Sequence, residues 1–199
     1  MESKALALFP LNLFLLPGDQ AQLFIFEDRY KHLIREVIES GESFGIPFTH
    51  KENTFNHGSL VEVVEVLKTY DTGEMDILIK CTSNFVLDRF FIQQDHAPYP
   101  GGLIHFEEHL NNTLAGPVLV QEFKQYLIEK EDFDNELLTK TEIHLFDIAN
   151  HLHLNNVERI DLINIADQKS ANAYLSNYIQ YIKLLNQQEG HTFHNFYLN

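Results

Sequence analysis

Two apolar runs, 5–16 and 21–26, are separated by Pro17-Gly18-Asp19, which predicts two buried strands joined by a turn. From residue 28 the period changes. Tyr30, Leu33, Ile34, Val37 and Ile38 recur every three or four positions, the mark of a helix with one apolar face. Asp28 is placed to cap its start and Gly41 to end it. Extended structure resumes at Phe44. The stretches 58–70 and 74–81, joined by Asp71-Thr72-Gly73, predict a hairpin whose last loop residue needs positive φ. In the second arm Met75, Ile77, Ile79 and Cys81 alternate with Asp76, Leu78 and Lys80, so one face is apolar. A further strand is expected over 84–94.

Past Pro98 the pattern breaks, at Pro98, Pro100, Gly101 and Gly102 and again over 111–117. Helical periods follow. Leu119, Phe123, Tyr126 and Leu127 share one face, and Leu145, Ile148, Ala149 and Leu152 share another. A short helix is expected over 157–165, and a long one carrying Tyr174, Tyr178, Ile179, Ile182 and Leu185. The expected organisation is an α+β chain: a β-rich subdomain with one inserted helix over 1–113, then a helical bundle over 114–199.

Charge narrows the function classes. The 199 residues carry 14 basic and 29 acidic side chains, a net charge of −15. The excess is spread along the chain, with 8 basic against 15 acidic residues in 1–100 and 6 against 14 in 101–199. Such a surface repels phosphates, which argues against a nucleic-acid partner. No basic amphipathic helix offers itself to anionic lipid, and no apolar run has the length of a membrane span. The opening MESKALALFPLNLFLLPG is net neutral and interrupted by Pro10 and Asn12, unlike a signal peptide. With the single cysteine Cys81 this leads to the expectation of a cytoplasmic protein without an internal disulfide.

Few motifs carry chemistry. HFEEH, His105 to His109, matches the H-x-x-E-H zinc-peptidase pattern, in which His105 and His109 one helical turn apart would bind metal and Glu108 would activate water. The glycines at 101–102 and asparagines at 111–112 leave little room for that helix. Zinc metallopeptidase is therefore the alternative reading, and no metal or other cofactor is expected. Cys81 ends the apolar face of a strand and reads as a small core residue. Glu27 and Arg29, where a strand meets a helix, suit a structural pair that closes the junction. Most of the sixteen phenylalanines belong in a core. Phe48 and Phe55, near Pro47, Asn53 and Asn56, are the pair expected at the surface.

The order of these features resembles the Lon protease amino-terminal domain, the LON domain, along essentially the whole chain. Pro10-Leu11 ends a first strand, and FLLPG (14–18) closes an apolar stretch with Pro-Gly. Glu27-Asp28-Arg29-Tyr30 matches a Glu-x-Arg-Tyr signature, Phe44-Gly45-Ile46 a Phe-Gly-hydrophobic strand, and Gly58 opens a valine-rich strand before the Asp71–Gly73 hairpin. Two positions depart: Cys81 and Asn84 stand where the family commonly has Gly and Arg. The resemblance implies a PUA-like β pseudobarrel followed by a helical bundle, and a module that recognises unfolded or tagged polypeptide or a protein partner without catalysis. No phosphate-cradling G-x-x-x-x-G-K-[ST] loop is present, so a stand-alone LON domain is expected. A structural role in a larger complex is a further alternative. Candidate peptide-contacting residues are Phe14, Pro17, Phe26, Arg29, Tyr30, Phe48 and Phe55. Pro10, Gly18, Glu27, Gly45 and Gly58 are the expected structural motif residues.

Overall fold

The computed structural model describes the backbone of residues 3–50, 53–92, 97–133 and 136–196, and side chains in these segments except those of 50, 53–55 and 187–196. By its internal contacts the chain forms two units. The first comprises Met1–Asn111 with Leu154–Asp161, and the second Asn112–His153 with Leu162–Asn199. Segment 154–161, expected in the helical subdomain, thus belongs to the β-rich unit.

The first unit is built on β1 (Lys4–Ala7), β2 (Gln20–Ile25), α1 (Asp28–Ser40), β3 (Phe44–His50), β4 (Asn53–Thr69), β5 (Met75–Phe91) and β6 (Gly101–Glu107). These strands pair antiparallel in the order β1-β6-β5-β4-β3, with β2 on β5. β5 is the spine. Its first six residues take β2 on one side, and its last eight take β6. Met75, Ile77, Ile79 and Cys81 of β5 are buried as the alternation predicts. They pack with Leu33, Ile34 and Val37 of α1 and with Ile25, Phe44, Ile46 and Val61. Each fully buried Leu, Ile or Phe contributes about 1.5–3 kcal/mol, so this cluster sets the position of α1 on the sheet.

Local signals account for much of this. Gly41 ends α1 at φ 71°, its N–H bonded to the Val37 carbonyl. Gly73 closes the β4–β5 turn at φ 83°, donating to the Tyr70 carbonyl at 2.8 Å. Other expectations are corrected. The strand foreseen over 5–16 stops at Ala7. The chain then crosses Gly45 and Pro47, with parallel bridges Leu8↔Gly45 and Leu11↔Phe48, and continues as an irregular strap to Asp19. Pro10 lacks the N–H donor that a ladder needs there. Strands 74–81 and 84–94 are one strand of 17 residues. The supposed break after Pro98 contains β6, whose Gly102 lies where a Cβ would come within 2.7 Å of the Arg89 carbonyl oxygen.

The second unit is helical: α2 (Pro117–Glu129), a 3-10 turn (Glu136–Leu138), α3 (Leu145–His151), the end of α4 (Asn156–Ile163), and α5 (Gln168–Phe196). Leu119, Phe123 and Leu127 of α2 are buried, as are Leu145, Ile148 and Ala149 of α3 and Ala171, Leu175 and Ile179 of α5. The apolar faces expected for α2 and α3 are thus largely interior. Of the stripe expected on α5, Ile179 is buried, Tyr174, Tyr178 and Ile182 are half-buried, and Leu185 is exposed. Gly116, just before α2, donates its N–H to Asn172 Oδ1 at 2.6 Å.

Candidate functional site

Strand period 2 divides the end of β2 in two. Ile25 enters the core at 1% exposure, and its neighbours Phe24 and Phe26 face outward at 51% and 58%. Their rings stack at 5.9 Å, and Phe24 meets the edge of Tyr70, also at 5.9 Å. Tyr70 is fixed from both sides. Its hydroxyl donates to Asp76 Oδ2 at 2.8 Å, and Lys68 Nζ lies 4.2 Å from its ring centroid. The result is a solvent-facing row of three aromatic rings with a cation at one end, the composition typical of a protein-contacting patch.

The charged residues of the junction lie beside it. Arg29 Nε and Nη2 both reach Glu27 Oε2, at 2.9 and 2.8 Å, and the guanidinium carbon sits 4.6 Å from the Tyr30 ring centroid. Tyr30 turns inward and stacks on Phe9 at 3.9 Å, and burial raises its phenol above the ordinary value. An ion pair this exposed contributes at most about 1 kcal/mol. Its effect is to fix the direction in which the chain leaves β2.

Behind the junction runs the strap 12–19, held by side chains from distant positions. Ser59 Oγ accepts from the Leu15 N–H at 2.8 Å and donates to the Leu15 carbonyl at 2.9 Å, and Asn84 Nδ2 donates to that carbonyl at 2.8 Å. Asn156 Oδ1 accepts from the Phe14 N–H at 3.0 Å. Arg159 Nη1 reaches the Phe14 carbonyl at 2.9 Å and Asp19 Oδ2 at 2.5 Å. The stretch therefore satisfies its backbone without strand pairing.

The family model described as the ATP-dependent protease La (LON) substrate-binding domain matches residues 5–189. The chain belongs to that family. Among solved structures, a Lon N-terminal domain protein from Xanthomonas campestris superposes with a TM-score of 0.65 at 22% identity, over 89% of this chain and 98% of that one. The N-terminal domain of a Mycobacterium avium complex Lon protease does so with a TM-score of 0.64 at 14% identity, over the same shares. Both likenesses concern the fold. No curated protein matches the sequence.

Of the residues singled out in this LON domain from its sequence, Phe26, Arg29 and Tyr30 come together at the junction. Phe48 does not reach the surface: it is 1% exposed and meets Phe14, itself fully buried, edge-on at 6.3 Å. The Pro47 context that suggested a loop is a register shift inside β3. Pro17 is half-buried, and the side chain of Phe55 lies outside the described residues. Gly18 turns the strap at φ 93°, and Pro10 is half-buried within it. Phe24, Tyr70 and Lys68 were missed, although a second phenylalanine two positions from Phe26 shares its face in any strand.

The H-x-x-E-H stretch of the LON domain lacks the helix that zinc ligation would need. His105 and Glu107 belong to β6, and Glu108 and His109 follow its end. His105 Nδ1 pairs with Asp88 Oδ1 at 2.9 Å. Among the described residues no three His, Cys, Asp or Glu side chains are grouped to hold a metal ion. Cys81 is 1% exposed with Sγ 3.4 Å from the Leu15 carbonyl oxygen, and burial pushes its thiol well above the ordinary range. Its reaction with a thiol reagent should be at least about a hundredfold slower in buffer than in denaturant. Labelling at similar rates in both, followed by absorbance, would contradict this burial.

Proposed function

We propose that this LON domain is a non-catalytic recognition module for polypeptide, either unfolded or tagged clients or a protein partner in cytoplasmic quality control, with contacts made at the Phe24-Phe26-Tyr70 surface. One observation carries the reading: in a family described by substrate binding, Phe24 near the end of β2 and Phe26 just past it stack on each other and are left more than half exposed. Burying them against a client returns the apolar surface they lose to water. The net charge of −15 supports peptide rather than nucleic acid as the partner. Bridges Leu8↔Gly45 and Leu11↔Phe48 support the finer description of the first unit as a PUA-like pseudobarrel, with the second as a helical bundle.

The test is fluorescence anisotropy with a permanently unfolded, labelled protein as probe, followed by mass measurement of the probe. Saturable binding with the probe intact is expected. Phe24→Ser with Phe26→Ser should weaken it on the order of tenfold or more at unchanged melting temperature. Equal binding by the double variant would remove the surface from the proposal. A shortened probe would replace recognition with hydrolysis.

A further inference from the structure

β4 has an open edge. β3 pairs with β4 only as far as Val61, so among the described residues β5 is the one strand neighbour of 62–69. The β4–β5 register slips twice along this stretch, leaving Val64 and Leu67 with no partner residue. Edge bulges ordinarily twist an edge away and come with charged residues that deter pairing. Here the two extra residues are aliphatic and lie at the surface, Val64 48% exposed and Leu67 40%. The end of α1 stands opposite this edge, and a groove of about 230 Å³ lies between them. Ile38, Val64 and Val66 form its apolar floor, all more than a third exposed. Among the described residues, Glu42, Glu62 and Glu65 are the only charged ones that line it, and all three are exposed.

We propose that this groove docks an extended polypeptide segment in which aliphatic residues alternate with lysine or arginine. This rests on the reading of the chain as a polypeptide-recognition module and assigns that module a client chemistry, on residues other than the aromatic row. An extended segment presents alternate side chains to opposite faces. One set meets Ile38, Val64 and Val66, and the other meets the three glutamates. Its backbone pairs with the open edge of β4 over 62–67, roughly 20 Å long, short of Lys68 and the aromatic row. Charge complementarity decides the occupant. Three carboxylates without a lining cation repel an acidic segment, and a net charge of −15 opposes a second copy of this chain.

The experiment titrates the intact protein into a labelled peptide of alternating valine and lysine, and into its counterpart with glutamate for lysine. The lysine peptide should bind with an affinity that falls as salt rises, and the glutamate peptide more weakly. Glu62→Lys with Glu65→Lys should weaken the lysine peptide on the order of tenfold and reverse the preference. Val64→Asp should weaken both peptides. Melting temperatures of the variants report that these surface changes leave the fold intact. Equal affinity for the two peptides, or a double variant that binds the lysine peptide as the parent does, would overturn the assignment. If the lysine peptide fails while the unfolded probe still binds, the groove falls and the recognition module stands. Failure of both removes both.

Discussion

Arg159→Leu should cost the first unit about 3–5 kcal/mol, the usual result of removing one partner of a buried ion pair. Arg159 and Asp19 side chains are only 12% and 14% exposed, so the carboxylate left behind has little water to replace its partner. Three further acceptors or donors depend on the same site. Arg159 Nη1 serves the Phe14 carbonyl at 2.9 Å, Nε serves the Leu154 carbonyl at 2.8 Å, and Asp19 Oδ2 accepts from the Leu16 N–H at 3.4 Å. Arg159→Lys should lose an intermediate amount, because a single ammonium cannot reproduce the planar fork that reaches Asp19 and two carbonyls together. Asp19→Asn in the Arg159→Leu background should recover part of the loss by removing the stranded charge. Urea denaturation gives the energies, and hydrogen exchange at the Phe14, Leu15 and Leu16 amides gives the location. A shift below about 0.5 kcal/mol, with those amides still protected, would show that the pair does not hold the strap.

That strap shows where the sequence ceased to be readable. The β4–β5 hairpin and α1 follow from local periods of 2 and 3.6 and from glycines at positive φ, all visible within a window of a dozen residues. The strap is defined instead by partners 44, 69 and 140 positions away: Ser59 and Asn84 on Leu15, and Arg159 on Asp19. No period marks such bonds, so an apolar run interrupted by Pro10 read as a strand. Asn84 had been noted as a departure from the family pattern, yet its role in binding the Leu15 carbonyl appears only when β5 and the strap are brought together. β6 failed for the opposite reason. Its glycines look like breakers, but Gly102 is required by the close approach of Arg89, Leu87 and Leu8. The candidate surface was half legible. Phe26 and the Glu27-Arg29 pair came from the junction motif. Counting phenylalanines could not say which would be enclosed, since that depends on the face each strand turns to the core.

Gly58 should be the position least tolerant of a side chain, with Gly58→Ala costing about 3 kcal/mol through overpacking. A Cβ there would lie 2.2 Å from Phe85 Cζ and 2.9 Å from the Ile46 carbonyl oxygen. Phe85 is fully buried and sits opposite Gly58 in the β4–β5 register. The same ring comes within 3.1 Å of the place a Cβ would take on Gly45. The two glycines of the family-like pattern therefore border one ring, which fills the cradle at Gly58, whereas at Gly45 the Leu8 and Leu6 side chains stand closer, at 2.6 and 2.7 Å. Because the ring is the larger obstacle, Phe85→Leu should rescue part of the Gly58→Ala loss, although alone it costs roughly 1–2 kcal/mol by leaving a cavity. The double variant should then be more stable than the sum of the single losses predicts, a coupling of about 1 kcal/mol or more. Gly41→Ala is the control. Its φ of 71° is strained for any L residue, but nothing lies within 4 Å of the new methyl group, so the expected cost is about 1 kcal/mol. Strict additivity of Gly58→Ala and Phe85→Leu, or a Gly58→Ala loss no larger than that of Gly41→Ala, would mean that the backbone yields at β4. Gly58 would then be conformational in origin, and the cradle would not explain why glycine stands at this position.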